Sequence, residues 1–306
     1  MKRGINIGDH FENVYDTAKP FANPVQDWYY DTIKALGFDH VRLPVKWSLW
    51  TDDQNGYAIN ETFINEVEKT VDRFLKLGLE VVLNVHHFRE AMDDPKGNAP
   101  KLYAIWEQVA KRFCSYPDAL IFEVMNEPTW RAPANDWNAV QQAAVQVIRK
   151  TNPTRRVMTC GVDYSGLFAL DDLIPPDDPN LIATFHYYFP LEFTHQGAAW
   201  SPSYADMKGV KWMGTQKERE DVYRGIKEHA AAFGQKYHMP VNLGEFGVYG
   251  KFADMESRAR WTRCVRETCE SLGISWSYWE FNRGFGICTA NGDKIWPLID
   301  ALTKDA

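Results

Sequence analysis

Eight apolar segments of strand length alternate with helical patterns along this chain, and that alternation restricts the folds open to it. The predicted strands are 3–8, 39–45, 79–86, 119–126, 156–161, 180–187, 240–245 and 274–280. They are apolar throughout instead of alternating between apolar and polar residues, which is typical of parallel strands covered on both faces. The sequence therefore predicts a parallel sheet with helices packed around it.

Helical patterns fill the intervals between these strands. The predicted helices are 25–36, 61–77, 98–115, 136–151, a short one near 166–173, 216–235, 254–271 and 296–303. Boundary signals support two of them: the run that opens after Asn60 stops at Gly78, and Asp254 precedes a run that ends at Gly273. Eight strand–helix units in 306 residues predict one domain, 1–306, folded as a closed (β/α)8 TIM barrel.

A doubly wound open sheet is the competing architecture. Such a sheet usually carries a glycine-rich phosphate loop after its first strand. Residues 4–9 read Gly-Ile-Asn-Ile-Gly-Asp, which has neither the GxGxxG spacing nor the lysine of a P-loop. The barrel is therefore the favoured prediction.

Charge and composition exclude some classes of binding partner. The chain has a net charge of −7 and shows no basic stripe, so we expect neither nucleic acid nor a membrane surface as a partner. No apolar run approaches 18 residues, and the first residues are too short a run for a signal peptide. Localisation stays open between the cytoplasm and secretion with a leader removed. The five cysteines lack CxxC spacing and are expected to be small buried hydrophobes.

Two glutamates close predicted strands. Glu127 ends the run Leu-Ile-Phe-Glu-Val-Met-Asn-Glu, and Glu245 ends the run Val-Asn-Leu-Gly-Glu. In a barrel the active site lies at the carboxyl ends of the strands. Opposite strands four and seven of a narrow barrel are expected to bring these carboxyls to roughly 5 Å, the spacing of a retaining glycosidase. With 12 Trp, 14 Tyr and 17 Phe available to stack on sugars, the pair predicts cleavage of a sugar polymer.

Other strand ends supply supporting chemistry. Arg42 and Tyr188 are expected to hold an ionised Glu245, and Asn126 to bind a sugar hydroxyl. Glu123 is expected to point to the same face of the strand as Glu127. Its expected role is structural, as a buried ion-pair partner for Arg42. Glu280 is the substitute if Glu245 is not the second carboxylate.

His86 and His87 raise the alternative of a metal centre. Adjacent strand residues point to opposite faces, so the two rings are not expected to bind one ion. We expect no metal and no cofactor, although a metal-dependent barrel hydrolase remains a rival hypothesis.

Taken in order, these residues resemble glycoside hydrolase family 5, the retaining barrel hydrolases. The resemblance covers essentially the whole chain and rests on Arg42, His86, Asn126-Glu127-Pro128, His186 with Tyr188, Glu245 and Trp279. It implies that Glu127 is the acid/base and Glu245 the nucleophile. It also implies that Arg42, His86, Asn126, His186, Tyr188 and Trp279 surround the cleaved bond.

Two further stretches, 191–200 and 277–281, are similar to subfamily 25, which includes broad-specificity cellulase–mannanases. That similarity implies that Glu12, His87, His195 and Trp200 line the sugar cleft. Asp9 stands where the resemblance implies an asparagine, and region 163–179 is individual to this chain.

The leading hypothesis is an endo-β-1,4-glucanase acting on a β-1,4-linked polysaccharide or oligosaccharide, working as a monomer. An endo-β-1,4-mannanase, or an enzyme with both specificities, is the alternative, because sequence does not reveal how the cleft treats an axial 2-hydroxyl. A non-catalytic carbohydrate-binding barrel is the distant alternative. Its mark in the sequence would be a missing catalytic carboxylate, and neither of the two is missing.

Overall fold

Eight parallel strands form a closed barrel in the computed structural model, which describes residues 1–13, 21 and 23–304. In chain order the strands are β1 (Arg3–Asn6), β2 (His40–Leu43), β3 (Glu80–Asn84), β4 (Leu120–Glu123), β5 (Val157–Cys160), β6 (Leu181–His186), β7 (Val241–Phe246) and β8 (Ser275–Tyr278). Each pairs with its neighbours in sequence, and β1 closes the ring against β8 with Gly4 opposite Ser277. The predicted (β/α)8 barrel is confirmed.

Helices connect the strands and cover the outside of the barrel. They are Asp27–Ala35, Glu61–Lys76, Pro95–Arg112, Ala134–Arg149, Met255–Ser271 and Trp296–Thr303, with a 3-10 segment at Leu167–Asp172. Between β6 and β7 one continuous helical stretch contains Gln216–Ile226, a π-helical turn Lys227–Ala231 and Ala232–Tyr237. No helix among residues 1–13, 21 and 23–304 combines the length and apolarity needed to cross a bilayer.

The predicted helix ends have identifiable causes. The Asn60 side chain accepts a hydrogen bond from the amide of Phe63, and the Asp254 side chain accepts one from the amide of Ser257. Each cap satisfies an amide that the first helical turn leaves unpaired. Gly78, with φ 72°, adopts the left-handed conformation that ends the second helix.

Apolar residues fill the layer between barrel and helices, where Trp106, Trp137, Trp261 and Trp276 are fully buried. The barrel interior differs at its carboxyl end, since Asn6, Arg42, Asn84 and Glu123 are all buried there. The core therefore becomes polar where the loops gather.

Four short elements were absent from the sequence prediction. They are the 3-10 helix Trp47–Trp50, a two-stranded hairpin (Thr51–Asp52 with Ala58–Ile59) and the helices Arg89–Asp93 and Leu191–Thr194. All lie on the loop side of the barrel strands. The expectation of buried cysteines was wrong for Cys114, which is exposed, and Cys264 is only partly buried. Cys160, Cys269 and Cys288 are buried, and all five thiols are free.

Candidate active site

The two glutamates predicted from strand ends lie face to face at the loop end of the barrel. Glu127 follows β4 with a φ of 50°, and Glu245 is the fifth residue of β7. One carboxylate oxygen of each, together with a ring nitrogen of His186, all lie within 4.8 Å of one another. This separation agrees with the roughly 5 Å expected from the fold.

Arg42 organises the floor of the site. Its Nε and Nη2 donate to the two carboxylate oxygens of Glu123 at 2.6 and 2.7 Å, the buried role expected for Glu123. Its Nη1 donates to Glu245 Oε1 at 2.7 Å. The remaining donors reach Asn6 Oδ1 at 2.9 Å and Asn126 Oδ1 at 2.7 Å. All five N–H groups of the guanidinium are therefore used, and the rigid fork fixes the position of Glu245.

Glu245 accepts a second hydrogen bond on its other oxygen. The hydroxyl of Tyr188 donates to Glu245 Oε2 at 2.9 Å. Burial raises the pKa of Glu245, and the positive charge of Arg42 opposes that rise. Burial, followed by the nearby charge of Glu245, holds the pKa of Tyr188 well above 10, so its hydroxyl stays a donor. Both oxygens of Glu245 are thus paired with donors, which suits an ionised carboxylate.

Glu127 has different surroundings. Burial raises its pKa to about 7 and outweighs the opposing charge of Arg42. Its closest partner is Nδ1 of His186, 2.8 Å from Oε1, and burial lowers the pKa of that histidine to about 4. Near neutral pH the imidazole is therefore uncharged. The pair has one carboxyl with a pKa of about 7 and one that is bonded to a cation, an asymmetry that suits acid/base cleavage.

Asparagines that the sequence interpretation did not select support this network. Asn6 Nδ2 lies 3.0 to 3.2 Å from the carbonyl oxygens of Gly244, Ser277 and Tyr278. Asn84 Nδ2 lies 3.1 Å from Nδ1 of His86. Each interrupts an otherwise apolar strand, and that interruption is the signal that could have identified them. Buried Asn126 Nδ2 has no acceptor at hydrogen-bonding geometry among the described residues, so it is available to a sugar hydroxyl.

His86 and Trp279 form an aromatic wall. Their rings are nearly parallel, 9° apart, with centroids at 5.8 Å. The expectation that His86 and His87 point to opposite faces was wrong: β3 ends at Asn84, and His87 adopts a φ of 50°, so strand alternation no longer applies. The two imidazoles instead meet edge to face at 4.4 Å.

The remaining predicted cleft residues lie around this centre. His195 accepts or donates at 2.9 Å with Thr194 Oγ1 and packs edge-on to Tyr188 at 5.0 Å. Trp200 is 60% exposed and contacts the ring of Tyr249 at 4.8 Å.

Buried Glu12 accepts hydrogen bonds from the amides of Asp9 and His10, and burial raises its pKa to about 8. Glu280, the substitute candidate, is also buried, and burial together with the charges of Glu12 and Asp9 raises its pKa well above the usual range. Glu280 therefore belongs with the Glu12 cluster, and Glu245 is the carboxylate that faces Glu127.

A cation would have to bind at the same glutamates. Within residues 1–13, 21 and 23–304, Glu127, His186 and Glu245 are the group of three possible ligands close enough to share an ion, and His86 and His87 are not part of such a group. Arg42 and Tyr188 already occupy the oxygens of Glu245. The fixed positive charge at 2.7 Å disfavours a metal ion there.

Comparison with known proteins agrees with this geometry. The family model described as Cellulase (glycosyl hydrolase family 5) matches residues 9–284. Endoglucanase H of Acetivibrio thermocellus is 33% identical over 288 residues, which make up 94% of this chain. The chain spans 30% of the length of that relative.

Two solved structures superpose along nearly the whole chain. The clostridial cellulose synthase subunit Z of Clostridioides difficile is 35% identical, with a TM-score of 0.94, covering 99% of this chain and 100% of that one. Cel5A of Thermotoga maritima is 35% identical, with a TM-score of 0.92, covering 98% of this chain and 97% of that one. It has been solved with cellobiose and with mannotriose.

Proposed function

Because this chain belongs to glycoside hydrolase family 5, we propose that it cleaves β-1,4-glucosidic bonds with Glu127 as acid/base and Glu245 as nucleophile. The observation that carries the proposal is the unequal environment of two carboxyls whose oxygens approach within 4.8 Å. That spacing leaves no room for a water molecule between Glu245 and the sugar, so direct attack and retention of configuration follow.

In the first step a carboxylate oxygen of Glu245 attacks the anomeric carbon. The bond from that carbon to the glycosidic oxygen breaks, and the proton of Glu127 passes to the departing oxygen. The products are a covalent ester of Glu245 and a leaving sugar with a free hydroxyl. Arg42 and Tyr188 keep Glu245 ionised and aimed before the attack.

In the second step water attacks the same carbon from the side that the leaving sugar vacated. Glu127, now ionised, takes a proton from the water, and the ester bond to Glu245 breaks. Glu127 ends protonated and Glu245 ends ionised, so the site returns to its starting state. His186 beside Glu127 is uncharged near neutral pH. It therefore places no positive charge that would oppose the protonation of Glu127 in this step.

We assign the substrate as an internal bond of a β-1,4-glucan chain. The relatives named endoglucanase support this assignment, as does the aromatic wall of Trp279 and His86 for stacking a sugar face. The residues proposed to bind substrate are Glu12, Arg42, His86, His87, Asn126, His186, Tyr188, His195, Trp200 and Trp279. Membership of subfamily 25 and activity as a monomeric, single-domain enzyme belong to the same proposal.

Mannan is the second candidate substrate, since the similar Cel5A has been solved with mannotriose as well as cellobiose. Asn126 Nδ2, a buried donor with no acceptor among the described residues, is available to a sugar hydroxyl of either polymer. A non-catalytic binding barrel is disfavoured because both carboxylates and their partners are in place.

Product analysis on carboxymethylcellulose, glucomannan and galactomannan tests the proposal. We expect the enzyme to cleave the glucan and to release the β-anomer first. NMR would identify the anomeric configuration of the product. Release of the α-anomer would contradict the mechanism, and cleavage of galactomannan alone would contradict the substrate.

A further inference from the structure

Asn84 lies at the end of β3, two residues before His86, and is fully buried. Its side chain reaches three groups: the backbone amide of Val45, the Nδ1 atom of His86 and the carboxylate of Glu123. Val45, His86 and Glu123 are buried as well. Bulk solvent therefore does not compete for these contacts, and the hydrogen bonds among the four residues determine where the protons lie.

Two contacts fix which end of the Asn84 amide is the oxygen. The backbone amide of Val45 can only donate, and it lies 3.2 Å from Oδ1. The carboxylate of Glu123, which is ion-paired with Arg42, can only accept, and its Oε1 lies 3.4 Å from Nδ2. Exchanging the two amide atoms would set donor against donor at Val45 and acceptor against acceptor at Glu123. The NH₂ group of Asn84 therefore faces His86.

The position of the proton on His86 follows from this orientation. Asn84 Nδ2 lies 3.1 Å from Nδ1 of His86, and an amide NH₂ group donates but does not accept. Nδ1 must therefore be the unprotonated nitrogen. Burial, with the charges of His87 and Arg42 adding to it, holds the pKa of His86 well below 6.5, so near neutral pH the ring carries one proton. That proton lies on Nε2.

The N–H group at Nε2 is left for a ligand. Among residues 1–13, 21 and 23–304, the hydrogen bonds of the His86 imidazole are confined to Nδ1. The ring is also held by its neighbours, since it lies parallel to Trp279 and meets His87 edge to face. Under the proposed function, on which this step rests, His86 contacts the sugar, and Nε2–H is the group that it offers.

We propose that Asn84 is a positioning residue, which fixes His86 in the form protonated at Nε2 so that His86 donates a hydrogen bond to a hydroxyl oxygen of the bound glucan. Asn84 itself does not touch the sugar. A ring protonated at Nδ1 would present a lone pair instead, and the sugar hydroxyl would have to turn its own hydrogen toward the ring. Because Asn84 also donates to Glu123, the network around Arg42 that orients Glu245 orients this donor too.

Long-range ¹H–¹⁵N NMR of the imidazoles in the ligand-free protein tests the assignment, because the two neutral forms give different correlation patterns. The signal that disappears in His86→Gln identifies the ring. In the wild type we expect the proton on Nε2. Asn84→Asp sets an acceptor against Nδ1, so the proton should move to Nδ1. Asn84→Leu removes the donor without adding a charge, so the two nitrogens should share the proton.

Kinetics connect the proton to the substrate. We expect kcat/KM on cellopentaose to fall about five- to hundredfold in Asn84→Asp, the effect of one lost hydrogen bond in a buried site. Asn242→Asp is the matched control, since Asn242 is a buried asparagine of β7 whose Nδ2 donates to Ser275 Oγ at 2.9 Å. It should keep the His86 proton on Nε2 and kcat/KM within about twofold of wild type.

Three results would overturn the role of Asn84. They are a wild-type ring protonated at Nδ1, a proton that stays on Nε2 in both Asn84 variants, and equal kinetic losses in Asn84→Asp and Asn242→Asp. A folded wild type that carries the proton on Nε2 but cleaves no β-1,4-glucan would instead refute the proposed function, while the assignment of the proton would stand.

Discussion

Arg42 Nη1 donates to Glu245 Oε1 at 2.7 Å, and both side chains are almost wholly buried. Among the described residues a buried arginine bonds to one carboxylate and none contacts the other, so the two carboxyls differ in their electrostatic surroundings. Burial raises the pKa of both carboxyls, but at Glu245 the bonded Arg42 opposes that rise, whereas at Glu127 burial outweighs the charge of Arg42 and raises the pKa to about 7.

Exchange of each glutamate for glutamine should affect two kinds of substrate differently. Glu245→Gln removes the attacking oxyanion, so we expect kcat to fall at least about 10³-fold on every substrate. Glu127→Gln removes the proton donor, so we expect a loss of about 10²- to 10⁴-fold on cello-oligosaccharides. With a dinitrophenyl cellobioside, whose leaving group needs no proton, the rate of ester formation in Glu127→Gln should fall much less.

Stopped-flow bursts of dinitrophenol would measure that step, with Glu107→Gln, an exposed glutamate on the helix Pro95–Arg112, as the control. If the two substitutions were equally harmful with dinitrophenyl cellobioside, the assignment of roles would be wrong.

The raised pKa of Glu127 has a consequence for stability. A carboxyl whose pKa is about 7 in the folded chain, against 4.5 as the ordinary value, is harder to ionise when folded. The free energy of unfolding should therefore fall as pH rises from about 4.5 to 7, by up to about 3 kcal/mol from this group. Glu127→Gln should remove that fall, so the variant should be more stable than wild type at pH 8 and similar to it at pH 4.

Thermal unfolding across this range would measure the effect, and equal Tm differences at both pH values would contradict it.

The stability of the folded chain should depend strongly on the ion pair between Arg42 and Glu123. Glu123→Gln replaces one of the two carboxylates around a buried guanidinium, so we expect the free energy of unfolding to fall by about 3–5 kcal/mol. Urea denaturation would measure it. Glu256→Gln is the matched control, since Glu256 also pairs with an arginine but is exposed, and its stability should stay close to wild type. Similar losses in the two variants would show that the buried network adds nothing of its own.

Metal removal should leave activity unchanged. The fixed charge of Arg42 beside Glu245 disfavours a cation, so dialysis against EDTA is expected to preserve kcat on carboxymethylcellulose. Metal content after dialysis serves as the control for complete removal. An activity lost on chelation and restored by Zn²⁺ would revive the metal-dependent hypothesis.

The strands and the principal helices could be predicted because each carries its cause in local sequence. Apolar runs of four to eight residues mark β1 through β8, and the caps at Asn60 and Asp254 mark helix starts. The hairpin Thr51–Asp52 with Ala58–Ile59 could not be found this way, because strands of two residues have no period to detect.

The site was predictable where residues end strands, and less so where backbone geometry is irregular. The approach of Glu127 to Glu245 could be predicted because strand ends in a barrel converge. The facing of His87 was missed because a φ of 50° appears in no periodic pattern, and the same holds for the turn at 163–165. Asn6 was overlooked because a single amide in an apolar strand does not indicate a function until its hydrogen-bond partners are known.

The bonds of Asn6 also determine when the site can come into being during synthesis. Its amide spans carbonyl oxygens on β7 and β8, and its oxygen supports Arg42, so the first strand needs the last to complete the cradle of Glu245. A nascent chain that has emerged only as far as β7 contains both glutamates yet lacks Ser277 and Tyr278. Catalytic competence should therefore arise in a single late event, when the eighth strand leaves the ribosome and the ring closes.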